Sequence, residues 1–135
     1  DFGGLKKSMP LYAGIFLFTS FASIGLPGLN GFVGEFMILM GSFPSFKILS
    51  SIAAFGVVLA AIYMLWAYQR IFNGQLNNDE NAVLTDLNSK ELVAVGPLLI
   101  LMLFIGVYPS FVESYIVNDV SIIYDAINSL SGGLE

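Results

Sequence analysis

The chain has 135 residues, 56% of them hydrophobic and only 11% charged, with a formal net charge of −5, a pI near 4.4 and a mean hydropathy of +0.81. Soluble domains carry about a quarter charged residues to cover their surface, so a water-soluble enzyme of ordinary type is all but excluded. Five Lys and Arg cannot build a phosphate-tracking stripe, which argues against nucleic acid, and with neither Cys nor His there is no basis for disulfides, haem ligation by His or a usual zinc site.

The residues describe an all-α integral membrane protein that works with carboxylates, a few amines and its own backbone. The chain opens Asp1-Phe2-Gly3-Gly4, without an initiator Met or the pattern of a signal peptide. It is expected to be a piece of something larger. Residues 1–8, with Lys6 and Lys7, read as a cytoplasmic lead-in.

The first apolar block, 9–46, holds one charge, Glu35. At about 1.5 Å per residue, a continuous helix from Leu11 to Phe43 would be about 50 Å long, against a hydrocarbon core of about 30 Å. Its middle, Gly25-Leu26-Pro27-Gly28-Leu29-Asn30-Gly31, is poor helix material. The block is therefore two short crossings or one broken crossing. Lys and Arg favour the cytoplasmic flank of membrane spans. One broken crossing puts Lys6, Lys7, Arg70 and Lys90 on one side and only Lys47 on the other. Two crossings would split them. The single broken crossing is the better reading.

Residues 47–72 make one further span, closed by Arg70, and 92–112 make another, which Gly96-Pro97 is expected to bend. Between them, 73–91 is polar and reads as a cytoplasmic loop. After Tyr108-Pro109 the tail, 113–135, is amphipathic. Val112, Ile116, Val120, Ile123, Ile127 and Leu130 recur at helical spacing, away from Ser114, Asn118, Ser121, Asp125 and Asn128. Its acidity disfavours anionic lipid, so a neighbouring subunit on the outer side is the expected bed.

Glu35 is the candidate for chemistry. A carboxylate inside a span costs at least about 2.5 kcal/mol and by default marks an ion or proton route. Here it follows a backbone break, in Gly31-Phe32-Val33-Gly34-Glu35-Phe36, and transporters place ion sites at such breaks. The competing account is a solvated acid near the outer interface. Gly25, Pro27, Gly28, Gly31 and Gly34 are expected to make the break through the backbone. Arg70 reads first as a topology signal beside the aromatic belt of Tyr63, Trp66 and Tyr68, with a second-line role in the proton path, and Lys6 and Lys7 read the same way. No metal ligand set is expected.

Gly3-Gly4-Leu5, Met9-Pro10, Gly25-Leu26-Pro27-Gly28 and Gly31-Phe32-Val33-Gly34-Glu35-Phe36 closely resemble the antiporter-like subunits of proton-pumping NADH-quinone oxidoreductase, respiratory complex I. Tyr63-Met64-Leu65, Arg70, Phe72-Asn73-Gly74 and Gly106-Val107-Tyr108-Pro109 continue the likeness, which covers residues 3–110. Within the family, an acid in the broken helix resembles the M-type chain, the mitochondrial chain-four equivalent. The L-type and N-type chains and the multisubunit sodium/proton antiporters typically carry Lys there.

The resemblance implies the C-terminal part of a fourteen-helix fold, supplying its broken twelfth helix, its thirteenth and its fourteenth. It implies a proton-translocating subunit in which Glu35 is the acid near the outward end of the path. The partners of Glu35, an acid and lysines on earlier helices, lie outside this chain, so the fragment alone is expected to be inactive. NADH, FMN, iron–sulfur clusters and quinone would be held by other subunits. The implied partners are the neighbouring antiporter-like subunits and the lipid of a bacterial plasma membrane or an equivalent energy-converting membrane. The alternatives are a subunit of a multisubunit cation/proton antiporter or of a membrane-bound hydrogenase.

Overall fold

A computed structural model describes residues 3–75 and 79–131. The described residues are helical, with no strand. A 3-10 turn at Leu5–Lys7 leads into α1 (Pro10–Ser23) and α2 (Asn30–Ser42). Then come α3 (Lys47–Phe72), a short α4 (Asp79–Ala82), α5 (Ser89–Val107) and α6 (Ser110–Ser131). Two helices, α3 and α5, are long and apolar enough to cross a membrane, and α1 is a shorter apolar helix.

Local chemistry sets the ends. Pro10 stands at the first position of α1, where its missing N–H costs nothing. The same residue type stops the helix: Pro27 cannot donate to Ser23, the carbonyl four residues back. Gly25 takes φ +71°, and Leu26 N–H donates to Phe21 O at 3.0 Å, the capping pattern of a helix that ends in a left-handed glycine. Leu29 is extended, and α2 starts after it.

The chain then crosses once. Gly4 N–H donates to Asn73 O at 3.2 Å, which joins the start of α1 to the end of α3. There Leu5, Ala13, Tyr68 and Phe72 form the buried core, flanked by Phe16, Leu17 and Ile71. The Phe16 and Phe72 ring centroids are 5.1 Å apart and those of Tyr12 and Phe72 5.8 Å apart. At the opposite end, Ser42 Oγ and Ser50 Oγ share a hydrogen bond of 2.9 Å between α2 and α3. The lengths agree with this arrangement. α1 (14 residues) rises about 21 Å and α2 (13 residues) about 20 Å, against about 39 Å for the 26 residues of α3. Lys6, Lys7 and Arg70 consequently gather at one end of the molecule and Lys47 at the other.

Some element ends differ from the sequence reading. The polar stretch 73–91 contains α4 and yields its last residues to α5, because Asn88 and Glu91 form a capping box. Asn88 Oδ1 accepts from Lys90 N–H at 2.9 Å and Glu91 N–H at 3.0 Å, and Glu91 Oε2 accepts from Asn88 N–H at 2.8 Å. α5 runs through Pro97 without interruption and ends at Val107; α6 begins at Ser110, so residues 110–112 belong to the tail helix. Leu130 and the last four residues of the tail fall outside what is described of side chains or structure. A groove of about 550 Å³ separates α6 from α2, lined by Met37, Glu113, Ile116, Val117, Val120 and Tyr124.

Apolar side chains cover the outer faces: Ile48 is 79% exposed and Ile100 71%. Such faces are stable only against lipid or neighbouring protein. The molecule is an all-α integral membrane protein with one broken crossing and two unbroken ones.

Candidate functional site at the helix break

The break spans residues 24–29, between the two halves of the first crossing. Gly25 (φ +71°) and Gly28 (φ +95°) hold left-handed conformations that other residues adopt only with strain. Leu29 N–H donates to Leu26 O at 3.1 Å and Phe32 N–H to Leu29 O at 3.2 Å, so the segment is an ordered turn.

Glu35 lies one and a half turns into α2, and helical side chains lean towards the N-terminus of their helix. Its half-buried carboxylate therefore folds back onto the break. A Cβ built on Gly25 would collide with Glu35 Oε2 and stand 3.1 Å from Cδ. The carboxylate thus sits near the N-terminal end of α2, whose free amides and dipole favour negative charge. Among the described residues Glu35 makes no ion pair. Nearby, the buried Oδ1 of Asn30, the first residue of α2, has no hydrogen-bond donor among the described residues.

The five expected break residues divide by place. Gly25, Pro27 and Gly28 lie in the break, whereas Gly31 and Gly34 lie inside α2. Gly31 serves close packing: a Cβ there would strike the Ala22 carbonyl, so α1 and α2 meet backbone to backbone. Nothing lies within 4 Å of a Cβ at Gly34. A third helix closes the site. A Cβ on Gly106 of α5 would run into Gly28 O and the backbone of buried Leu29.

The cations stay away from Glu35. Lys6 and Lys7 are exposed in the 3-10 turn, and Arg70 places its Cζ 5.4 Å from the Trp66 ring centroid. At this end the structure also brings in a residue that sequence reasoning missed. Asp86 Oδ2 accepts from Leu11 N–H at 2.7 Å, and Oδ1 accepts from Tyr12 N–H at 3.1 Å and Leu87 N–H at 2.8 Å. Asp86 thereby caps α1, whose own N-cap residue, Met9, supplies no side-chain bond. Desolvation works to raise the Asp86 carboxyl, and the three amide donors outweigh it, holding it below its usual 3.8. No set of three metal-ligating residues exists among those described.

Residues 1–62 match the family described as NADH:quinone oxidoreductase/Mrp antiporter, transmembrane. The chain is 42% identical over 115 residues to NADH-quinone oxidoreductase subunit M of Rhodobacter capsulatus, covering 85% of this chain and 22% of that protein. By sequence the chain resembles subunit M. It is also 40% identical over 108 residues to NADH-ubiquinone oxidoreductase chain 4 of Arabidopsis thaliana (80% of this chain, 22% of that protein). Subunit M of Mycobacterium tuberculosis is 39% identical over 109 residues (81% and 20%). The chain thus spans about a fifth of the length of the subunit M and chain 4 relatives it matches. Each alignment is longer than the 62 residues of the family match, so the likeness to subunit M extends into α3 and beyond.

Proposed function

We propose that this chain is part of a proton-translocating membrane subunit of NADH-quinone oxidoreductase, with Glu35 as its proton-exchange group. One observation carries the reading: Glu35, the one acid inside the apolar stretches 9–46, 47–72 and 92–112, turns its carboxylate into a backbone break. Broken backbone inside a membrane is tolerated where protein or a water-filled cavity surrounds it. A carboxyl placed there can take a proton from one side and release it to the other as its surroundings change.

The mechanism follows from the parts present. α1 and α2 hold the turn open, Gly25 leaves room for the carboxylate, and Gly106 of α5 presses on the turn from a third side. The partner charges that drive Glu35 between its two states would come from the rest of the subunit, so this piece alone would not pump. Electron transfer from NADH through FMN and iron–sulfur clusters to quinone would occur in other subunits. The neighbouring antiporter-like subunits would cover the exposed apolar faces and α6. The expected location is a bacterial plasma membrane or an equivalent energy-converting membrane.

The test is Glu35→Gln in the full-length subunit within the assembled complex. The proton-to-electron ratio should fall while NADH-to-quinone electron transfer continues. A full ratio in the mutant would remove Glu35 from the path. The family description also names Mrp antiporters, which supports a second reading as a cation/proton antiporter subunit. Purification discriminates, because flavin and iron–sulfur subunits accompany a complex I chain and are missing from an antiporter.

A further inference from the structure

We propose that Asp86 is a positioning residue for Glu35: it ties the start of α1 to the start of α5 and so fixes the height of the break. This rests on the proposed role of Glu35. The segment 83–88 joins two helix starts. Asp86 binds the amides of Leu11 and Tyr12 on α1, and Asn88, two residues on, caps α5. Leu84, 42% exposed, lines a cavity of about 420 Å³ with Leu5, Met9, Tyr12, Phe16, Ile71 and Phe72.

α5 meets the broken helix again farther along. Ser89 to Gly106 is about 25 Å of helical rise, and Gly106 is where α5 bears on Gly28 and Leu29. α1 is therefore a strut about 21 Å long, held at its start by the 83–88 segment together with its packing on α3, and at its end by the turn against Gly106. A helix transmits axial displacement; with the Asp86 tether cut, the start of α1 is left to its packing on Tyr68 and Phe72 of α3, and a shift there carries Gly25 along α5. The slot that receives the Glu35 carboxylate moves with Gly25. Capping alone does not require this arrangement, since a Ser or Asp at position 9 would cap α1 from within the chain.

The test separates capping from tethering, in the full-length subunit of the assembled complex. Asp86→Ala removes both. Adding Met9→Asp in the same subunit restores a local cap without the tether. The readouts are thermal midpoint, electron-transfer rate, proton-to-electron ratio, and the carboxyl band of Glu35 in infrared difference spectra.

Asp86→Ala should lower the midpoint, at least halve the ratio and shift the Glu35 band. The double variant should recover the midpoint, with electron transfer retained in both variants, but keep the halved ratio and the shifted band. A full ratio with an unshifted band in the double variant overturns the proposal, because a cap would then suffice. Failure of both variants to assemble also overturns it, making Asp86 a folding residue. Glu35→Gln serves as control. If that mutant pumps fully, the functional reading fails and takes this inference with it. If it loses the ratio while the Asp86 variants keep theirs, only the positioning role fails.

Discussion

Replacing Gly25 by Ala isolates the contact between the break and the acid. Gly25 holds φ +71°, a conformation that costs a residue with a Cβ about 1–2 kcal/mol. The new methyl would also strike the Glu35 carboxylate, the mobile tip of a flexible side chain, which can swing away at little further cost. The stability loss should therefore remain about 1–2 kcal/mol, a factor of about 5–30 in the folding equilibrium. The functional loss should be larger, because the carboxylate can no longer occupy the break.

Gly28→Ala supplies the matched control. It carries comparable backbone strain at φ +95°, yet nothing lies within 4 Å of its Cβ. In the full-length subunit of the assembled complex, both variants should lower the thermal midpoint to a similar degree. Only Gly25→Ala should reduce the proton-to-electron ratio, by at least half, with electron transfer retained. Equal ratios in the two variants, whether both normal or both reduced, would refute the reasoning.

Gly106→Ala should destabilise by about 1–3 kcal/mol, since its methyl meets backbone that cannot rotate away. The exposed Gly56→Ala in α3, with open space around it, should be neutral or slightly stabilising in the same thermal assay; equal behaviour of the two would show that α5 does not bear on the break. Phe72 is 1% exposed, stacks with Tyr68 and meets the tilted rings of Tyr12 and Phe16, so Phe72→Ala should cost about 3–5 kcal/mol and loosen the α1–α3 end, read as lower assembly yield. The Asp86 carboxyl titrates lower in the folded chain than in the unfolded one, so its stabilising contribution is complete above the ordinary aspartate range and disappears as pH falls through the depressed value. Amide protection at Leu11 and Tyr12, corrected for intrinsic exchange, should hold from pH 7 down to about pH 4 and be weaker in Asp86→Asn; a decline already between pH 7 and 5 would contradict the cap.

The broken crossing was legible because three independent signals agreed. The first block was too long for one straight span, Gly25 and Pro27 gave its stop, and the lysines and arginine chose one crossing over two. Those signals are local or compositional. Asp86 was invisible for the opposite reason: its partners lie seventy-five residues away, and an aspartate in a polar loop looks the same whether or not it caps a distant helix. Gly106 is legible only within a family resemblance, because a glycine in an apolar helix does not announce which backbone approaches it. Gly31 and Gly34 show the limit of grouping by type. Both belong to the glycine-rich run, yet one is an α1–α2 contact and the other faces open space. The start of α5 had a readable signal, Asn88 three residues before Glu91, that the polarity of its surroundings concealed.

A proton route through the break requires that Glu35 change protonation inside the membrane during turnover. Infrared difference spectroscopy of the assembled complex, with Glu35→Gln subtracted, measures this directly. A carboxyl band that rises and falls with turnover and is lost in the mutant is the predicted result. A carboxylate that stays ionised throughout, with spectra identical in the mutant, would make the acid in the break a structural group and send the proton route elsewhere.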